Sequence, residues 1–141
     1  MRIFLDANII ISVLNKEYPL FTYSSRILSL ADKRGFTVFT SPICLAIAFY
    51  FAEKKFKSKL AKEKISLLAE YIKITDVNTE VIKSALANSK VKDVEDGLEY
   101  YSAVAAKCDC IVTEDVKDFY FSEIEVIAGE NFCSKYMIRK K

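Results

Sequence analysis

Short apolar runs alternate along the chain with stretches of helical periodicity, and this alternation constrains the fold more than any other feature. Ile3-Phe4-Leu5, Phe36 to Thr40, Ile72 to Val77, Ile111-Val112 and Glu125 to Ile127 read as strands. The stretches between them read as helices. One follows Asp6 through Ile9-Ile10-Ile11 and Val13-Leu14, and one runs from about Thr22 to Arg34, with Gly35 where a C-terminal cap belongs. Ser41-Pro42 gives an N-cap and a first-turn proline for a helix to about Lys55, and Ser58 can cap another through Tyr71. Thr79 to about Asn88 is helical, and Asp93-Val94-Glu95-Asp96 opens a helix with apolar positions Leu98, Tyr101, Val104 and Ala105. A turn at Val116 to Tyr120 and a short helix at Glu130 to Tyr136 complete the pattern. Strands joined through helices pair in parallel, because a parallel connection must cross over the sheet. The expected fold is α/β: a three-layer α/β/α sandwich with a central parallel sheet, as one domain over residues 1–141.

Composition agrees with a packed domain. With three Gly and two Pro in 141 residues, nothing resembles a linker, and a chain of this size can build a core without disulfide or metal staples. No apolar run approaches the roughly 18 residues of a membrane span, and the run after Asp6 lacks a small-residue cleavage site, so we expect neither a membrane segment nor a signal peptide and place the chain in the cytoplasm. Cys44, Cys108, Cys110 and Cys133 show no C-x-x-C spacing and are expected as small buried hydrophobes. The chain has no histidine. Imidazole bases, Ser-His-Asp and Cys-His nucleophiles and His-ligated zinc are therefore excluded, leaving carboxylates, Lys, Tyr, Cys or a metal to carry chemistry.

Acids stand where such a sheet binds ligands. Ligands of open parallel sheets sit beyond the carboxyl ends of the strands. Asp6 follows the first strand, Asp96 lies in the first turn of the helix after Lys92, Asp115 follows Ile111-Val112-Thr113, and Asp118 is close behind. Several carboxylates in one crevice repel one another unless a cation offsets them, and a hard divalent ion, Mg²⁺ or Mn²⁺, suits oxygen donors. Such an ion activates water for attack on a phosphodiester without histidine. Asp93 and Asp96 also have the N-cap and N3 spacing of plain helix-capping acids, and Asp115 and Asp118 suit turns. Asp6 differs, because Leu5 and Ile9-Ile10-Ile11 around it predict burial, and burying an unpaired carboxylate is costly.

Three stretches, Ile3-Phe4-Leu5-Asp6-Ala7-Asn8-Ile9, Asp93-Val94-Glu95-Asp96-Gly97-Leu98-Glu99-Tyr100-Tyr101 and Ile111-Val112-Thr113-Glu114-Asp115-Val116-Lys117-Asp118-Phe119, resemble in order and spacing the motifs of the PIN-domain ribonucleases. The likeness spans nearly the whole chain. It implies a three-layer α/β fold and metal-dependent cleavage of single-stranded RNA, leaving a 5′-phosphate and a 3′-hydroxyl. It also implies kinship with the VapC-like toxins, which a small antitoxin protein holds inactive and which are often homodimers. By position, the resemblance makes Asp6, Asp96 and Asp115 the metal-binding acids, with Asn8 and Thr113 as supporting groups, Asp118 as an outer acid or turn residue, and Lys117 as a phosphate contact.

The chain also departs from that pattern. The family usually places a fourth acid, a Glu, on the helix after the second strand, and Ile47 stands at that position. No acid lies between Asp32 and Glu53, and Glu53, six residues beyond Ile47, is rotated by about 240° on the helix. Ala7 stands where the first motif commonly has a hydroxyl. The departure motivates a second reading, a catalytically impaired PIN-fold module that binds RNA or protein. Six lysines fall within residues 54–64, of which Lys54, Lys55, Lys57 and Lys59 are candidate phosphate contacts, although solvated helix faces look the same. Phe49-Tyr50-Phe51 and Tyr100-Tyr101 offer rings to bases or, more commonly at such positions, to packing.

Overall fold

A computed structural model of the chain describes residues 1–137, so the terminal Arg139-Lys140-Lys141, expected as a frayed tail, lies outside the described residues. Five parallel strands, β1 (Arg2–Leu5), β2 (Thr37–Thr40), β3 (Lys73–Ile74), β4 (Cys110–Val112) and β5 (Glu125–Ile127), form one sheet in the order β3-β2-β1-β4-β5. Six helices connect and cover them: α1 (Ala7–Leu14), α2 (Leu20–Leu28), α3 (Pro42–Tyr71), α4 (Thr79–Ala87), α5 (Val94–Ala105) and α6 (Gly129–Tyr136).

The alternation of side chains along a strand explains the layers. Ile3 and Leu5 of β1, with Val38, Cys110, Val112 and Ile127, point to one face and pack with Ile9, Ile10, Ile27, Ala48, Ala52 and Phe132 from α1, α2, α3 and α6. Phe4 points to the other face, where Phe39 and Ile111 join Tyr100 and Ala103 of α5, Phe119 and Phe121. A sheet buried on both faces needs strands apolar throughout, and β4 is buried at every position.

The register also builds the ligand edge. Ile3 pairs with Val38 on one side and Cys110 on the other, and Leu5 pairs with Val112. From β1 the chain moves one way to β2, while β4 arrives on the opposite side. The carboxyl ends of β1 and β4 therefore form the topological switch point, where a crevice opens. Asp6 N–H donates to Val112 O at 3.0 Å, and Thr113 N–H donates to Ile127 O at 3.0 Å, which seats the residue after each strand side by side at that edge.

Several expected boundaries hold. Ser41 caps α3 by accepting from Cys44 N–H, with Pro42 in the first turn, and Asp93 caps α5 by accepting from Glu95 N–H. Others are corrected. The helix expected from Thr22 to Arg34 ends at Leu28 and continues as a tighter 3₁₀ turn over Ser29–Asp32, while the strand expected over Ile72 to Val77 is paired only at Lys73–Ile74. The break expected between Lys55 and Ser58 falls at Lys57, whose φ of 66° and ψ of 164° interrupt α3, and Ser58 Oγ donates to Glu53 Oε2 at 3.2 Å. The apolar positions read for α5 are out of phase. Its buried face carries Gly97, Glu99, Tyr100, Ser102 and Ala103, while Val104 and Ala105 face outward. Among the described residues no helix is long and apolar enough to cross a membrane.

Candidate active site

Asp6 is the fixed point of the crevice. It is the N-cap of α1, its Oδ1 accepting from Ala7 N–H at 2.6 Å and its Oδ2 from Thr113 Oγ1 at 2.7 Å. Thr113, fully buried, ties three residues together: its hydroxyl also accepts from Asn8 Nδ2 at 3.1 Å and from Asp115 N–H at 3.0 Å. Asn8 in turn donates from Nδ2 to Asp115 Oδ2 at 3.1 Å and accepts from Glu114 N–H at 3.2 Å. A strand-end hydroxyl and one amide thus aim carboxylates from two strand ends into the same space.

That space is a cleft of about 330 Å³ lined by Asp6, Asn8, Asp93, Glu95, Asp96, Asp115 and Asp118 together with Ala7, Ile11, Ile47 and Phe51. The structure brings together the four acids singled out in the sequence. Neither lysine nor arginine is among the lining residues. Asp93 does the capping expected of it and lines the cleft as well. Ile47, at the position where the resemblance would place an acid, lines the cleft, while Glu53 does not.

The lysines are dispersed. Lys54 sits over the Tyr50 and Phe51 rings, Lys55 Nζ donates to Asn15 O, and Lys57 lies at the break in α3. Lys59 belongs to a separate groove on the second half of α3 with Lys62, Glu63 and Leu67, and Lys117 is exposed outside the cleft lining.

One residue at the site escaped the sequence reading. Glu99, only 1% exposed, lies in α5 with its Oε1 accepting from Cys44 Sγ at 2.9 Å, and its carboxyl group shares a hydrogen bond with that of Asp6. One ligand atom each from Asp6, Cys44 and Glu99 lies within 4.8 Å of the others. Its signal in the sequence is its place three residues after Asp96, about one helical turn on, but the apolar Leu98 and Tyr101 point the expected inward face away from it. The four cysteines are free and buried, as expected, with Cys44 beside the acids rather than in plain apolar core.

The electrostatics follow from burial among like charges. Desolvation, then the charges of Asp93, Asp6, Asp118 and Glu95, push Asp96 up to about 7. Burial and the nearby Asp6 charge push Glu99 up to about 10. Asp6 is also raised, by burial, but Thr113, Glu99 and Ala7 N–H donate to it and oppose the rise. The proton shared by the buried pair therefore rests on Glu99, and Asp6 keeps the charge. Burial holds the Cys44 thiol protonated, far above its ordinary value.

The donor set fits a hard divalent cation. Asp6, Asp96 and Asp115 line one cleft in which burial raises the pKa of both Asp6 and Asp96 and neighbouring acids add to the rise, and no lining side chain supplies a positive charge. Bringing a cation there relieves both effects at once.

The fold that carries this cleft has counterparts among known proteins. The sequence profile of the PIN domain matches residues 2–117, and the chain belongs to the PIN-domain family. It is similar to Ribonuclease VapC1 of Aquifex aeolicus strain VF5, with 28% identity over 139 residues, 96% of this chain and 95% of the relative. Among solved structures, it resembles VapBC2 of Rickettsia felis bound to a DNA fragment from its promoter, with a TM-score of 0.70 and 20% identity over 91% of this chain and 98% of that one. It also resembles VapC20 of Mycobacterium tuberculosis, a sarcin-ricin loop cleaving toxin, with a TM-score of 0.64 and 13% identity over 86% and 98%. At those identities the structural likeness speaks for the fold.

Proposed function

We propose that this chain is a single PIN domain that hydrolyses phosphodiester bonds of single-stranded RNA as an Mg²⁺- or Mn²⁺-dependent endoribonuclease, acting in the cytoplasm as the toxin of a toxin–antitoxin pair. The observation that carries the reading is the uncompensated carboxylate cleft at the carboxyl ends of β1 and β4. The family membership and the similarity to a named ribonuclease over nearly the full length support it. The VapBC assemblies that share the fold support a small antitoxin protein as partner, and a homodimer is part of the same proposal.

Asp6, Asp96 and Asp115 would hold the metal. When bound, it supplies a lowered pKa for a coordinated water and positive charge for the phosphorane-like transition state. The chain's own residues do the rest. Thr113 and Asn8 fix the carboxylates of Asp6 and Asp115 so that neither must reorganise. Asp118, one short turn beyond Asp115, serves as outer acid, and exposed Lys117 contacts the RNA backbone. Mg²⁺ commonly keeps several waters and needs only one or two carboxylates, so a site with Ile47 in place of the fourth acid meets its demands.

The second reading, a PIN-fold module that binds RNA or protein without turnover, is favoured by one observation, the carbon side chain of Ile47 inside the cleft. Cleavage of single-stranded oligoribonucleotides in Mg²⁺ and Mn²⁺ by the wild type and by Asp6→Asn, Asp96→Asn and Asp115→Asn separates the two. We expect each variant to lose at least about a hundredfold in rate, a loss of about 2.7 kcal/mol of transition-state stabilisation, while melting like the wild type. Wild-type rates in all three variants, or metal-independent cleavage, would reject the site.

A further inference from the structure

The acid cleft has a mixed lining. Asp93, Glu95 and Asp96 of the α5 end and Asp115 and Asp118 after β4 bring carboxylates to it, whereas Ile11 of α1 and Ile47 and Phe51 of α3 bring carbon. Ile47, Phe51 and Lys54 are spaced four and three residues apart, so they follow one ridge of α3. Ile47 is half-buried against the core, but the ridge beyond it is not spent on packing. Phe51 is 43% exposed and Tyr50 is 56% exposed, while Ala48 and Ala52 of the same helix are fully buried in the core. The Tyr50 and Phe51 rings meet edge to face, with centroids 5.4 Å apart at 83°. Lys54 Nζ lies 4.2 Å from the Tyr50 centroid and 5.5 Å from that of Phe51.

A ligand for this cleft needs a flat apolar face for the carbon lining, an anionic group for the metal-binding acids, and further negative charge for Lys54. An unpaired nucleotide within a strand has all three. We propose that Ile11, Ile47 and Phe51, with Tyr50 and Lys54 at their edge, form a nucleobase subsite in which a base flanking the scissile phosphate stacks on Phe51 and the adjoining phosphate meets Lys54. The proposal rests on the ribonuclease reading and deepens it, giving Ile47 a role as part of the base subsite rather than only as a missing acid. It also supplies a reason for single-strand preference, because bases within a duplex have their faces covered by their neighbours. Lys54 decides for a nucleic-acid strand over a protein segment, since a cation stationed on exposed rings beside an anionic cleft complements a repeating phosphate.

The test measures equilibrium binding in Mn²⁺ of a labelled single-stranded oligouridylate and of its counterpart with abasic riboses. The protein is the full chain carrying Asp115→Asn to stop turnover, with and without Phe51→Ala, and wild-type cleavage of the same oligouridylate runs in parallel. Phe51 is exposed, so its removal spares the core. We expect Phe51→Ala to weaken oligouridylate binding about tenfold, Phe51→Tyr to restore it, and the abasic strand to bind weakly and equally to all three proteins. Equal weakening on both strands, or none on either, overturns the subsite. If the wild type cuts RNA while binding ignores the base, the ribonuclease reading stands and the subsite falls. If the wild type neither cuts nor binds, both fall. Loss of affinity for a protein partner alone would assign the apolar lining to that partner and likewise overturn the proposal.

Discussion

Asp6 and Glu99 are adjacent carboxyls with opposite legibility. Asp6 could be read from sequence because an acid closing a strand, between Leu5 and Ile9-Ile10-Ile11, has few places to go but inward, and it is 6% exposed. Glu99 could not, because a glutamate in a helix reads as solvent-facing until the docking face of that helix is known. Its burial has a consequence in the metal-free protein. Its pKa is raised from its unfolded value of 4.5 to about 10, and that of Asp96 from 3.8 to about 7, so the folded chain binds more protons than the unfolded one between these limits. Stability must therefore fall as pH rises from about 4 towards 10, and chemical denaturation across this range should show it. Glu99→Gln, which keeps the shape without the titrating proton, should flatten the fall above pH 7, whereas an unchanged slope would contradict the protonated assignment. Thr113 is the other decisive residue, since one hydroxyl serves Asp6, Asn8 and the Asp115 amide. Thr113→Val should cost about 1–3 kcal/mol in a urea melt and weaken Mn²⁺ binding, because it leaves buried polar groups unpaired.

Among the elements, α5 matters most because it delivers Asp96 and Glu99 together. Its approach to α4 is set by Gly97, where a Cβ would come within 2.6 Å of Val91 Cγ1 and 3.2 Å of Ala85 Cβ. Glycine inside a helix is otherwise a loss, so its use here marks a close approach. Gly97→Ala should destabilise by about 1–3 kcal/mol and lower metal affinity by moving the adjacent Asp96, and a gain in stability would show that α5 has room to spare. At Lys57, a φ of 66° with ψ of 164° is a conformation that suits glycine. Lys57→Gly should raise stability by about 1 kcal/mol in the same melt. The caps at Ser41 and Asp93 and the strand Glu125–Ile127 were legible because their signals are local. The shortness of β3 was not. Its run from Ile72 to Val77 is rich in strand-forming residues, but the ladder with β2 pairs only Lys73 and Ile74 and ends at the Thr75 N–H bond to Thr40 O, an outcome of sheet geometry rather than propensity.

For the whole molecule, the parallel topology with β1 between β2 and β4 is what converts residues 6, 96 and 115 into one site. The α/β class and the gathering of acids at the strand ends followed from alternation and spacing in the sequence. The mixed lining of the cleft did not, because it needs the rotation of α3 about its axis, which brings Ile47 and Phe51 into the cleft with the acids. The proposed metal centre, assembled from distant segments, would form only in the folded chain, so a divalent ion at a hundred times its dissociation constant should add about 2.7 kcal/mol of stability. As a ligand of the proposed centre Asp96 would shed its proton on binding, so affinity should be greater at pH 8 than at pH 6.

Calorimetric titration of Mn²⁺ into the wild type and into Asp6→Asn, at pH 6 and at pH 8, tests the central claim most directly. The account predicts saturable binding to the wild type that is tighter at pH 8, with more proton release on binding at pH 6 than at pH 8, and its loss in the variant. Absence of binding by a folded wild type, or equal binding by both proteins, would contradict a metal centre built on the carboxyl ends of β1 and β4.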